Sequence, residues 1–189
     1  MRQTRRAFTI AASLGLIAAG LSNGDAQAPT TATTTVILVR HAEKMSTPPA
    51  DPPLSPAGEM RAQALLTAVR TAGVSAIITT QFLRTKGTAA PIAAALGIAP
   101  EVVMASGATH AQDVAAAVRR HAGQTVLVVG HSNTVPAIIA ALGAPEPPPI
   151  CDESYDNLYI VTIPAAGSPR LIQASYGERS VVSGCASMK

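Results

Sequence analysis

Four short β-branched runs, each leading into an alanine-rich stretch that closes at a glycine, constrain this chain more than any other feature. The runs are "TVILV" (35–39), "VSAIITT" (74–80), "EVVMA" (101–105) and "TVLVVG" (125–130). Stretches with helical spacing follow at 56–72, 85–96, 110–122 and 134–142, and end at Gly73, Gly97, Gly123 and Gly143. Glycine there supplies the left-handed residue on which a helix stops. Strand, helix and glycine in repetition is the construction of a parallel α/β sheet. The apolar runs are continuous rather than alternating, as strands covered on both faces require. Two further runs, 157–163 and 170–176, flank "PAAGSP" and predict a terminal hairpin. The expected architecture is α/β, a three-layer α/β/α domain with a mostly parallel central sheet.

At 189 residues the chain fits one well-buried domain. Hydrophobic residues are 48% and charged ones 13%, which excludes a disordered chain. Aromatics are only 3%, so there is little to stack on bases, and no nucleic-acid partner is expected.

Residues 1–28 stand apart. They have a basic start (Arg2, Arg5, Arg6), an apolar run from Ala7 to Leu21 and small residues before Pro29. That is the layout of a secretory signal, and Arg5-Arg6 resembles a twin-arginine export signal. The run is shorter than the roughly 18 residues of a spanning helix. The expectation is an exported, periplasmic protein with residues 29–189 as its domain and no membrane span in the mature part. Without the three arginines and Asp25 of that segment, a formal charge of +3 becomes +1. Cys151 and Cys185 are then disulfide partners, or buried free thiols.

Ligands of open parallel sheets bind beyond the carboxyl ends of the strands. The first strand ends in "VRHAEK", delivering Arg40, His41, Glu43 and Lys44. The second leads through "TTQFLRT" to Arg84, and the fourth into "GHSN", with His131, Ser132 and Asn133. Two arginines, two histidines and two helix N-termini thus share one sheet edge. Guanidinium forks pair with phosphate oxygens, helix ends add N–H donors, and imidazole is a nucleophile near neutral pH. "GHSNT" misses the G-x-S-x-G elbow because Thr134 occupies its last glycine position. No H-E-x-x-H or paired Cys/His spacing points to a metal, and no cofactor is expected.

"LVRHAEK", "LRT" and "GHSN", in this order, resemble the histidine phosphatase superfamily, with its phosphoglycerate mutase-like fold. The resemblance spans about 35–176, and its compactness is similar to the small phosphohistidine phosphatase branch. It implies that His41 is the phosphorylated nucleophile and that Arg40, Arg84 and His131 contact the phosphoryl group. The substrate would be a small phosphorylated compound or a phosphoprotein. Larger members carry an acid after the second arginine. Here 100–114 is short, with Glu101 and Asp113 poorly placed, so Glu43 and Asp51 are the candidate acids. Lys44, Ser132, Asn133 and His110 are candidates for substrate contact, and the "PPADPP" loop, His110 and the proline-rich segment 145–149 for the rim. The rival reading is a phospho-ligand-binding protein without turnover; His41 and His131 argue against it, because binding needs only the arginines.

Overall fold

The computed structural model describes residues 32–181. The expected signal at 1–28 and Cys185 lie outside the described residues. Six strands form one sheet: β1 (Thr34–Arg40), β2 (Val74–Thr79), β3 (Glu101–Val102), β4 (Thr125–Gly130), β5 (Asn157–Ile163) and β6 (Arg170–Ser175). Their order is β3-β2-β4-β1-β5-β6; β1 to β4 are mutually parallel, and β5 pairs antiparallel with both β1 and β6. The mostly parallel sheet and the hairpin are as the sequence predicts.

Four helices, α1 (Pro56–Val69), α2 (Leu83–Leu96), α3 (His110–Arg119) and α4 (Val135–Ala141), complete the layers. Strand alternation divides the core between them. Val36, Leu38, Val126 and Val128 pack with Val114 and Val118 of α3 and Ile138 and Ile139 of α4. Ile37, Val39, Leu127 and Val129 point the other way, onto Leu65 of α1 and Ile92 of α2. Each fully buried aliphatic side chain contributes about 1.5–3 kcal/mol, enough to fix the register of β1 between two covered faces.

Strand β3 is shorter than the run 101–105. Only Ile78 and Thr79 of β2 remain for it to pair with. Beyond Val103, whose N–H still donates to Thr79 O at 2.9 Å, the ladder gives way to side chains: Ala105 N–H donates to Gln81 Oε1 at 2.8 Å, and Met104 O accepts from His110. Helix α2 ends as expected on Gly97, with φ of 66°.

The proline segment is an anchored excursion closed by pairing of Lys44 with Leu54. After it, Ser55 caps α1, its hydroxyl accepting from Gly58 N–H at 3.2 Å, with Pro56 in the first turn. Here α1 meets the chain just past the Arg-His pair. Ser55 N–H donates to Glu43 O at 3.0 Å, and a Cβ on Gly58 would lie 2.0 Å from that same oxygen. Gly58→Ala must therefore push α1 off the strand end. We expect a loss of about 1–3 kcal/mol, read as a lower Tm, and a weaker site, since Glu43 lies two residues from His41. An unchanged Tm would show that the helix shifts freely.

Candidate active site

Arg40 is the last residue of β1, and His41 N–H donates to Gly130 O at 2.9 Å, so the ends of β1 and β4 stay in register past the sheet. This register places His41 beside His131, ring centroids 5.3 Å apart and edge to face. Arg40, His41, Lys44, Phe82, Arg84 and His131 line a cavity of about 300 Å³, together with Ser132, Asn133 and Asp152. Of the ten candidate residues, seven line it: Arg40, His41, Lys44, Arg84, His131, Ser132 and Asn133.

His41 is buried, and its Nδ1 lies 2.8 Å from Ala42 O. A carbonyl only accepts, so Nδ1 carries the ring proton and Nε2 keeps its lone pair. Burial lowers the imidazole to about 3; the Ala42 bond opposes this, while Arg40, His131 and Arg84 add to it. The ring is a neutral nucleophile across the physiological range.

His131 Nε2 lies 3.1 Å from Thr80 Oγ1, which lies 2.9 Å from Thr85 Oγ1. Thr85 Oγ1 donates its one proton to Phe82 O at 2.9 Å, so Thr80 donates to Thr85 and accepts from His131 Nε2–H. The neutral ring then keeps its lone pair on Nδ1, and His131 takes a second proton before that nitrogen can donate to a phosphoryl oxygen. Burial, then Arg84, His110 and Arg40, lower His131 to about 4. Phe82 supports the ring edge-on at 5.4 Å, and the Arg84 guanidinium stacks on Phe82 at 4.1 Å.

Arg40 divides its fork. One terminal nitrogen donates to Cys151 O, Asp152 O and Ser154 O at 2.8, 2.8 and 3.1 Å. The guanidinium lies 4.2 Å from the Tyr155 ring centroid, and its Nε has no partner. Arg84 likewise keeps an unpartnered Nε. Buried donors left unpaired are costly, and here they belong to two cations on one cavity wall, the arrangement an oxyanion completes.

Three candidates sit elsewhere. Glu43 is held by Arg61, whose Nε donates to its two carboxylate oxygens at 2.8 and 3.0 Å; it faces a neighbouring cleft, because Arg61 is buried and takes both oxygens. Asp51 caps α2, accepting from Leu83 N–H at 2.9 Å, and lies 3.7 Å from Arg84. The Leu83 N–H at that helix start is thereby already taken. His110 does not line the cavity: α3 buries it, and its Nδ1–H donates to Met104 O at 3.0 Å. The proline segments touch the cavity only indirectly, through Asp51 on Arg84 and through the loop that carries Asp152.

Phe82, Asp152 and Tyr155 went unread in the sequence. The signal for the last two was "CDESY", polar residues directly after a proline-rich loop. Cys151 is in a disulfide, which excludes the free thiol at that position. Among the described residues, no cluster of three or more His, Cys, Asp or Glu side chains could hold a metal, and no helix is long and apolar enough to cross a membrane.

Residues 36–105 match the family model of the histidine phosphatase superfamily (branch 1). No curated protein matches the sequence. Among solved structures, a SixA protein of Nakamurella multipartitia is 23% identical with a TM-score of 0.53, over 77% of this chain and 98% of that one. The protein histidine phosphatase SixA in complex with tungstate gives 17% and 0.57, over 75% and 96%. A mycobacterial glucosyl-3-phosphoglycerate phosphatase gives 14% and 0.54, over 76% and 98%. The match over residues 36–105 and the shared fold support a relationship to the histidine phosphatase superfamily, and with it a phosphatase.

The two buried histidines make a pH prediction. Unfolded, each titrates near 6.5; folded, at about 3 and about 4. Below 6.5 the unfolded chain binds protons that the folded one refuses, so stability falls as pH drops from 6.5 towards 3. The loss by pH 5 is about 1–2 kcal/mol per imidazole. Urea unfolding at pH 7 and pH 5 reads it, and the double variant His41→Ala, His131→Ala should flatten the slope.

Proposed function

We propose that this protein is an exported, metal-independent phosphatase that hydrolyses phosphomonoesters or phosphoramidates through a phosphohistidine on His41. The observation that carries the reading is the neutral, buried His41, with its Nε2 lone pair, on one cavity with the guanidiniums of Arg40 and Arg84. The phosphoryl group binds to those two cations and to His131, with Lys44, Ser132 and Asn133 at the mouth. Its charge meets donors fixed before the substrate arrives. Nε2 attacks phosphorus as the P–O bond to the leaving group breaks. Water then cleaves the N–P bond, releasing phosphate and restoring His41.

A mutase must keep water from its intermediate. Residues 100–114 are too short to form a cover, which favours hydrolysis. Small phosphorylated compounds or a phosphoprotein side chain are the substrate classes, and the layout of residues 1–28 supports export to the periplasm. The test is rapid-quench labelling with a radiolabelled phosphoester in the presence of a chelator. Acid-labile, base-stable label on the protein together with phosphate release is expected. Binding of phosphate compounds without label or release would instead favour the binding-protein reading.

A further inference from the structure

The cavity wall contains one carboxylate among the described residues, and it is neither Glu43 nor Asp51 but Asp152. Its backbone and side chain have separate tasks. The Asp152 carbonyl, with those of Cys151 and Ser154, holds Arg40. The side chain is 69% exposed, with Oδ1 accepting from Ser132 Oγ at 3.4 Å and lying 3.8 Å from an Arg40 terminal nitrogen. Oδ2 has no partner among the described residues. The carboxylate is thus oriented by one oxygen and open at the other, on the same cavity as His41 and His131.

The remaining polar groups of that wall are cations, amides, hydroxyls and the His131 imidazole, which Thr80 holds at Nε2 and whose second proton burial, Arg84 and Arg40 oppose. None matches a carboxylate as an acceptor for a water proton. A solvent-facing carboxylate with one oxygen unpartnered can accept a proton from a water in the cavity and pass it on to solvent, the transfer that the second half-reaction needs.

Building on the phosphohistidine reading, we infer that Asp152 is the general base of dephosphorylation. Water oxygen forms a bond to phosphorus, and one water proton passes to the Asp152 carboxylate. The electron pair of the N–P bond returns to His41 Nε2, leaving the neutral Nδ1–H imidazole. Phosphate departs as the hydrogen phosphate dianion, and Asp152 gives its proton to solvent. The first half-reaction has no such base to lose.

The test follows the label through a single turnover of radiolabelled 4-nitrophenyl phosphate, with the full protein in excess. Its leaving group needs no proton. In wild type the label on protein rises and then decays. In Asp152→Asn the rise should stay within about twofold while the decay slows by about 10²-fold or more. Asp152→Glu, which keeps the base, should recover part of the decay rate. Slowing of rise and decay together would assign Asp152 to holding Arg40, and an unchanged decay would remove it from catalysis; either result overturns the inference alone. Phosphate release by wild type with no label at any time would overturn the phosphohistidine reading itself, and this inference with it. Thermal unfolding of both variants separates a lost base from a lost fold.

Discussion

His41→Ala is expected to lower kcat by at least about 10⁴-fold and to remove all acid-labile label from the protein. Ala42 O fixes Nδ1 of His41 as the donor and leaves Nε2 as its nucleophilic atom, whereas the His131 ring is tied through its Nε2 to Thr80. The fold should survive, because the imidazole is neutral and its one hydrogen bond, to Ala42 O, is worth about 1 kcal/mol. The variant should still bind inorganic phosphate, since Arg40 and Arg84 stay in place. Residual label on the alanine variant would move the nucleophile to another residue. Lost phosphate binding with a lowered Tm would show that His41 supports the site rather than reacting in it.

The second large effect is at Arg40. Arg40→Lys keeps the charge and discards the fork. Two losses should appear together. The carbonyls of Cys151, Asp152 and Ser154 lose a shared donor, at a cost of about 1–3 kcal/mol in stability. The phosphoryl group loses the donors that those carbonyls leave free, lowering kcat/KM by about 10²–10³-fold. Thermal unfolding reads the first and steady-state kinetics the second. A lower Tm with undiminished kcat/KM would mean that Arg40 only pins the 151–154 loop.

How legible each residue was depended on how far its function travels along the chain. Arg40 and His41 are adjacent to the strand that carries them, and Arg84 and His131 each follow a strand at short range. Three β-branched runs, the first, second and fourth, therefore place all four at one sheet edge from sequence alone. Glu43 and Asp51 misled because a carboxylate near the nucleophile in sequence has no fixed direction. The partner that claims Glu43 is Arg61, a full helix turn into α1, and Asp51 is claimed by the first N–H of α2. His110 misled in the same way: it stands on the correct side of the sheet, yet the start of α3 turns it inward onto Met104 O.

The sequence by itself determined the layered α/β frame, the strand ends that carry the chemistry and the two arginines and two histidines on them. Each of these follows from periodicity and short-range order, which one stretch of chain contains whole. Only the tertiary structure decided the tautomer of His41, the Thr85–Thr80–His131 chain and the division of the Arg40 fork. It also decided that Asp152, more than a hundred residues from Arg40, is the carboxylate on the cavity wall. Those depend on which groups meet across the sheet, and hydrogen-bond donors and acceptors are assigned by position in space, not by order along the chain.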